Sequence, residues 1–190
     1  MYLPQLLARA EKGEKLNVLT CYDASFARLL VSNGIDVLLV GDSLGMTVQG
    51  HDSTLPVSLE NMVYHTDAVA RGAADKAFVV ADLPFGSYQK NPEQAFDSAA
   101  RLMAAGANMV KLEGGAIMVE TVAFLTRRGI PVCGHLGLLP QSVNVTGYRA
   151  QARDTAAASQ LLEDAIQLES AGAEMLVLES IPSVLADEVT

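Results

Sequence analysis

Along the chain, short runs of branched apolar residues alternate with longer helical stretches, an alternation that predicts strands separated by crossover helices. Three segments repeat one layout from their glycine. They are Gly34-Ile35-Asp36-Val37-Leu38-Leu39-Val40-Gly41-Asp42, Gly106-Ala107-Asn108-Met109-Val110-Lys111-Leu112-Glu113 and Gly172-Ala173-Glu174-Met175-Leu176-Val177-Leu178-Glu179. Each glycine supplies the left-handed residue that stops a helix, and the apolar run after it is too short for a helix of its own. Each run ends at or beside a carboxylate. Similar runs at Leu16–Thr20, Ala77–Ala81 and Ile130–Cys133 bring the expected total to about six strands. Between them, Asn91, Pro92 and Gln94 predict a capped helix through Ala104, and Asp154 opens another over Thr155–Ser170.

A regular βα repeat with no Gly-x-Gly-x-x-Gly turn after its first strand points to an α/β fold of the (β/α)8 TIM-barrel type, not a dinucleotide-binding sheet. The chain stops at Thr190, soon after the sixth run. Residues 1–190 are therefore expected to form a single barrel domain, C-terminally incomplete, with about six of eight βα units.

Composition sharpens this picture. Half the residues are apolar (50%) and few are aromatic (5%), which suits helices packed on buried parallel strands. A formal charge of −9 argues against nucleic-acid and anionic-membrane partners. Cys21 and Cys133 lie far apart in apolar stretches and read as reduced, buried thiols. With no signal-peptide layout and no apolar run of about 20 residues, a cytoplasmic protein is expected.

Strand ends of a parallel barrel meet at one mouth, so Asp42, Asp82, Glu113 and Glu179 are expected to gather there. Carboxylates so gathered repel one another unless a cation joins them, and oxygen ligands without a His or Cys cluster favour Mg2+. Alternatively, each acid caps the helix that follows it. Lys111 stands two residues before Glu113, on the same face of its strand, and either pairs with an acid or grips a substrate anion. His135 is expected in a glycine-flanked loop after the fifth strand. His51 and Asp52 fall in a glycine-rich stretch that suits a mobile lid, although an ordinary loop is the simpler reading of His51. His65 falls within a helical run as a structural residue. Gly41 and Gly45 lack the Lys and Ser that a phosphate loop requires.

The loop sequences GDSLGMTVQGHDSTLPV from Gly41, ADLPF from Ala81, MVKLEGG from Met109 and PVCGHLGLLPQSVN from Pro131 resemble the ketopantoate hydroxymethyltransferase family, which groups with phosphoenolpyruvate mutase and isocitrate lyase. The resemblance implies that Asp42, Asp82 and Glu113 surround Mg2+, directly or through water. It further implies that Asp42, Ser43, Asp82 and Lys111 line the site of a 2-oxo acid, that Glu179 is the base, and that His135 donates to a substrate oxygen. The implied reaction carries a hydroxymethyl unit from 5,10-methylenetetrahydrofolate to 3-methyl-2-oxobutanoate, and the implied assembly is a ring-based homo-oligomer of the decamer type. Asn144–Arg149 carries one glycine where the family tends to show a pair, and the segment to Asp154 looks shortened; this loop lies over the folate side. Two alternatives stand beside this reading: a Mg2+-dependent carbon–carbon lyase of the same barrel superfamily, which would want a Cys in a mouth loop, and a catalytically silent truncated fragment.

Overall fold

A computed structural model describes every residue from Met1 to Thr190. After α1 (Leu3–Ala10), strands β1 (Val18–Thr20), β2 (Val37–Val40) and β3 (Phe78–Asp82) alternate with α2 (Ala24–Ser32), the short α3 (Leu44–Thr47) and α4 (Leu59–Ala73). The second half continues with α5 (Pro92–Ala104), β4 (Met109–Glu113), α6 (Val119–Thr126), β5 (Val132–Gly137), the short α7 (Val143–Thr146), α8 (Thr155–Ser170), β6 (Met175–Glu179) and α9 (Ser183–Val189). The strands form one six-stranded sheet in sequential order. Every neighbouring pair is parallel, and the sheet curls into a half-barrel of the TIM type.

Local chemistry places these elements where the sequence predicts them. The stop glycines Gly34, Gly106 and Gly172 take φ of +82°, +104° and +101°, the left-handed turn that ends a helix before the next strand begins. Asn91 accepts from the Gln94 amide at 2.8 Å to open α5, and the Gln94 side chain reaches back to Lys90 N at 3.1 Å. Asp154 likewise accepts from Ala157 N at 3.0 Å at the start of α8.

Because side chains alternate across a strand, the sheet has two differently filled faces. Leu38, Val40, Val79, Ala81, Val110 and Leu112 point outward into the core shared with the helices. Val37, Phe78, Val80, Met109 and Cys133 point inward, and Leu6 of α1 packs against them. Carried one more step along the inner face, the same alternation reaches Asp82, Lys111, Glu113, His135 and Glu179. The polar layer of the mouth is therefore a direct continuation of the greasy layer beneath it. β3 and β4 are buried along their whole length, whereas β6 is half-buried throughout and β1 is exposed.

One boundary departs from expectation in a way that matters. β5 runs on to Gly137, so His135 is a buried strand residue paired with Val177 and Glu113, not a loop residue. Gly134 and Gly137 let the strand continue: a Cβ on Gly134 would sit 2.6 Å from a Leu176 methyl, and one on Gly137 would sit 2.2 Å from Glu179 O. They are sites of close strand approach, not of loop mobility.

Candidate active site

The inward ends of β3, β4, β5 and β6 build a connected charged cluster. Lys111 Nζ lies 3.1 Å from Asp82 Oδ1 and 3.2 Å from His135 Nδ1. His135 Nδ1 is in turn 3.3 Å from Glu113 Oε1, and its Nε2 is 3.3 Å from Glu179 Oε2. All but Glu179 are deeply buried; the Glu179 side chain remains 40% exposed. The apolar strand that carries Glu179 is itself only partly buried along Met175–Glu179.

Electrostatics follow from this packing. Burial alone would lower the Lys111 ammonium, but Asp82, Glu113 and Asp42 more than reverse it, so the lysine is held firmly charged. Burial would also lower His135, and hydrogen bonding to Glu113 and Glu179 raises it above the ordinary imidazole value. Asp42 is pushed up to about 7, first by burial and then by the negative charge of Asp82. Asp82 itself is raised because burial outweighs the opposing pull of Lys111.

The turn after β2 contributes the other side of the mouth. Asp42 N donates to Asp82 Oδ2 at 3.0 Å, and Gly41 leaves room for this: a Cβ there would fall 2.8 Å from Ser43 Oγ. Ser43 Oγ is 2.8 Å from the Tyr22 hydroxyl, so this candidate substrate ligand is steered by the segment after β1. Two residues that the sequence reading did not single out tie these pieces together. Gln141 N donates to Glu113 Oε2 at 3.0 Å while its Nε2 donates to Asp42 Oδ2 at 2.8 Å, and the buried Tyr88 hydroxyl donates to Gln141 Oε1 at 2.7 Å. Neither residue ionises usefully or repeats with a strand period, so no sequence signal marks them.

Other candidates fall away from the cluster. His51 and Asp52 are exposed, with His51 N bonded to Gly45 O at 2.8 Å. His65 Nδ1 is 2.7 Å from Tyr22 O, a structural tie between α4 and the segment before α2. In the loop from Asn144 to Asp154, Tyr148 is exposed and Gln151 N donates to Ser180 O at 2.9 Å.

The donor chemistry of the mouth bears on the implied cation. No three His, Cys, Asp or Glu side chains stand together in a geometry that encloses an ion, so Asp42, Asp82 and Glu113 do not form a direct three-carboxylate cage. Yet Asp82 Oδ1 and Glu113 Oε1 are buried with no contact beyond Lys111 at 3.1 Å and His135 at 3.3 Å respectively, and the Gln141 amide engages one Asp42 oxygen, Oδ2. Such oxygens fit a hard divalent ion held by one or two carboxylates with water completing its shell. A cavity of about 290 Å³ borders Glu113, Tyr88 and Gln141. A larger one of about 510 Å³ lies between α8, β6 and α9 and touches none of the clustered carboxylates. The smaller, beside the charged groups, is the one relevant to chemistry.

Comparison with known proteins gives this arrangement its context. The family model described as ketopantoate hydroxymethyltransferase matches residues 1–190. The chain belongs to that family. Among its relatives, the 3-methyl-2-oxobutanoate hydroxymethyltransferase of Thiobacillus denitrificans is 65% identical over 99% of this chain and 72% of its own length. That of Erwinia tasmaniensis is 64% identical over 95% and 68%. In solved structures the fold resembles 2,3-dimethylmalate lyase, a PEP mutase/isocitrate lyase superfamily member, with TM-score 0.70 and 20% identity over 98% of this chain and 66% of that one. It also resembles a phosphonopyruvate hydrolase complexed with oxalate and Mg2+, with TM-score 0.72 and 15% identity over 95% and 64%. The chain spans about two thirds of the length of those solved chains. The cysteine that a lyase reading asks for in a mouth loop is not supplied by Cys133, which is buried within β5 with its thiol pushed up to about 12 by burial, nor by the buried Cys21.

Proposed function

We propose that this chain carries the site at which a hydroxymethyl unit passes from 5,10-methylenetetrahydrofolate to 3-methyl-2-oxobutanoate, giving 2-dehydropantoate for pantothenate synthesis, in a cytoplasmic homo-oligomer. The observation that supports this most is the match of the full chain to the family, reinforced by relatives of that name at 65% identity. Glu179, the most accessible acid of the cluster, is the base. It takes the proton from the carbon next to the oxo group, and the electron pair left behind delocalises onto the carbonyl oxygen as an enolate. Water releases the folate's methylene carbon as formaldehyde, both of its bonds to folate nitrogens breaking and each nitrogen taking a proton; the enolate carbon then adds to the formaldehyde carbon, whose oxygen takes up the proton that Glu179 removed and becomes the hydroxyl. His135, in contact with Glu179 through Nε2, orients the base and can donate to a substrate oxygen. Lys111, held charged, offsets negative charge on the bound 2-oxo acid, and Ser43 contributes a hydroxyl beside it. Asp42, Asp82 and Glu113 would hold Mg2+, in part through water. When bound, the cation supplies Lewis acidity to the carbonyl and carboxylate oxygens of the substrate.

The test is direct. The chain is incubated with Mg2+, methylenetetrahydrofolate and 3-methyl-2-oxobutanoate, and 2-dehydropantoate is followed by mass spectrometry. Independently, exchange of the substrate's C3 proton with deuterated water is followed by NMR for the parent chain and for Glu179→Gln. Exchange should vanish in the variant while substrate binding persists. Parental exchange rates in Glu179→Gln would remove that residue from the base role.

A further inference from the structure

We propose that Gln141 is the positioning residue of the mouth: its side-chain amide fixes Asp42 Oδ2 and its backbone N–H fixes Glu113 Oε2, leaving Asp42 its other oxygen for a divalent cation and turning Glu113 Oε1 toward His135 beside it. This rests on the cation reading above. Gln141 is 5% exposed, and each of its polar side-chain atoms is used. Its Nε2 donates to Asp42 Oδ2 at 2.8 Å and to Leu83 O at 2.9 Å, while its Oε1 accepts from Tyr88 at 2.7 Å and from Gln89 Nε2 at 3.1 Å. Its backbone N–H holds Glu113 Oε2 at 3.0 Å. The amide has one workable orientation, because turning it over would set Oε1 against the oxygens of Asp42 and Leu83. Tyr88 supports the choice: its hydroxyl accepts from Glu113 N at 3.1 Å, and of its two acceptors Gln141 Oε1 at 2.7 Å is nearer than Glu113 O at 3.3 Å.

The geometry accounts for the residue type. Asp42 follows β2, Leu83 follows β3, Glu113 ends β4 and Gln141 follows β5, so a single residue, through its side chain and its backbone N–H, ties the ends of strands far apart in sequence. A lysine or arginine there would neutralise Asp42, whereas a neutral amide fixes the Asp42 carboxylate and leaves its negative charge for a cation, and the backbone N–H that holds Glu113 adds no charge either. An apolar residue of equal length would fill the space, leave Asp42 Oδ2 and Leu83 O without the amide donor, and leave the Tyr88 hydroxyl only its contacts to Glu113.

Mn2+ binding, read by electron paramagnetic resonance of the free ion, tests this on the intact 190-residue chain and on Gln141→Met and Tyr88→Phe, each accompanied by a thermal melt. Both variants should keep a cooperative melt. Gln141→Met should bind Mn2+ about tenfold or more weakly, the loss typical when an outer support of a metal ligand is removed. Tyr88→Phe should show a smaller loss. Equal affinity in the parent and a folded Gln141→Met overturns the inference. If Gln141→Met does not fold, Tyr88→Phe decides: weakened binding upholds the inference and parental binding overturns it. A parent chain that binds no Mn2+ overturns the cation reading itself, and this inference with it, a result distinct from parity among binders.

Discussion

A lysine inside a strand layer stays charged only where anions surround it, and Lys111 has Asp82 at 3.1 Å with both side chains at most 5% exposed. Removing one partner of such a pair strands the other. Lys111→Met should therefore destabilise the metal-free chain by about 3–5 kcal/mol in urea unfolding, and adding Asp82→Asn should restore most of it. Asp42 behaves in the opposite sense. Burial, then Asp82, raises its carboxyl from 3.8 to about 7, so the fold disfavours its charged form. Below about pH 4 the group is protonated in both folded and unfolded chains and costs nothing. As pH rises, the unfolded chain ionises first and gains, and the penalty is complete above the folded value of about 7. With divalent ions chelated, Asp42→Asn should match its parent near pH 4 and exceed it in stability near pH 8, in a series of melts. An equal gap at both pH values would show that Asp42 titrates normally.

Between β5 and β6 the decisive contact is backbone to backbone. Gly137 has φ +93° and faces Glu179 O closely enough that a Cβ would stand 2.2 Å away. Gly137→Ala should push the end of β6 outward, cost about 1–3 kcal/mol, and slow C3 proton exchange beyond what the lost stability explains, by opening the His135–Glu179 contact. Gly129→Ala is the control: its φ is +81° but nothing lies within 4 Å of the added Cβ, so stability falls and exchange persists. Helices follow a simpler rule. Asp23, Asn91 and Asp154 each accept a backbone N–H at a helix start, so those starts are set by local chemistry.

Across the molecule, a net charge of −9 with carboxylates crowding one mouth means that the proposed cation, once bound, would offset like-charge repulsion. Mg2+ at about 100 times its dissociation constant should stabilise the fold by about 2.7 kcal/mol, seen as a rise of several degrees in Tm that EDTA reverses. A Tm indifferent to Mg2+ at every concentration would take the cation out of the proposal. No helix is long and apolar enough to cross a membrane.

The order of strands, the helix starts at Asn91 and Asp154 and the residues at the strand ends were legible in the chain, because glycine stops, caps and apolar runs act over a few neighbouring residues. Period-two alternation was enough to put Lys111 and Glu113 on one face. The length of β5 was not legible: its glycines signal a loop when read locally, and only the approach of Leu176 and Glu179 from β6 shows why glycine is needed within a strand. Nor was the clamp of Gln141 and Tyr88, since a hydrogen bond spanning 99 residues from Gln141 to Asp42 leaves no periodic trace. Local chemistry chose which residues reach the mouth; the curl of the sheet decided which of them touch.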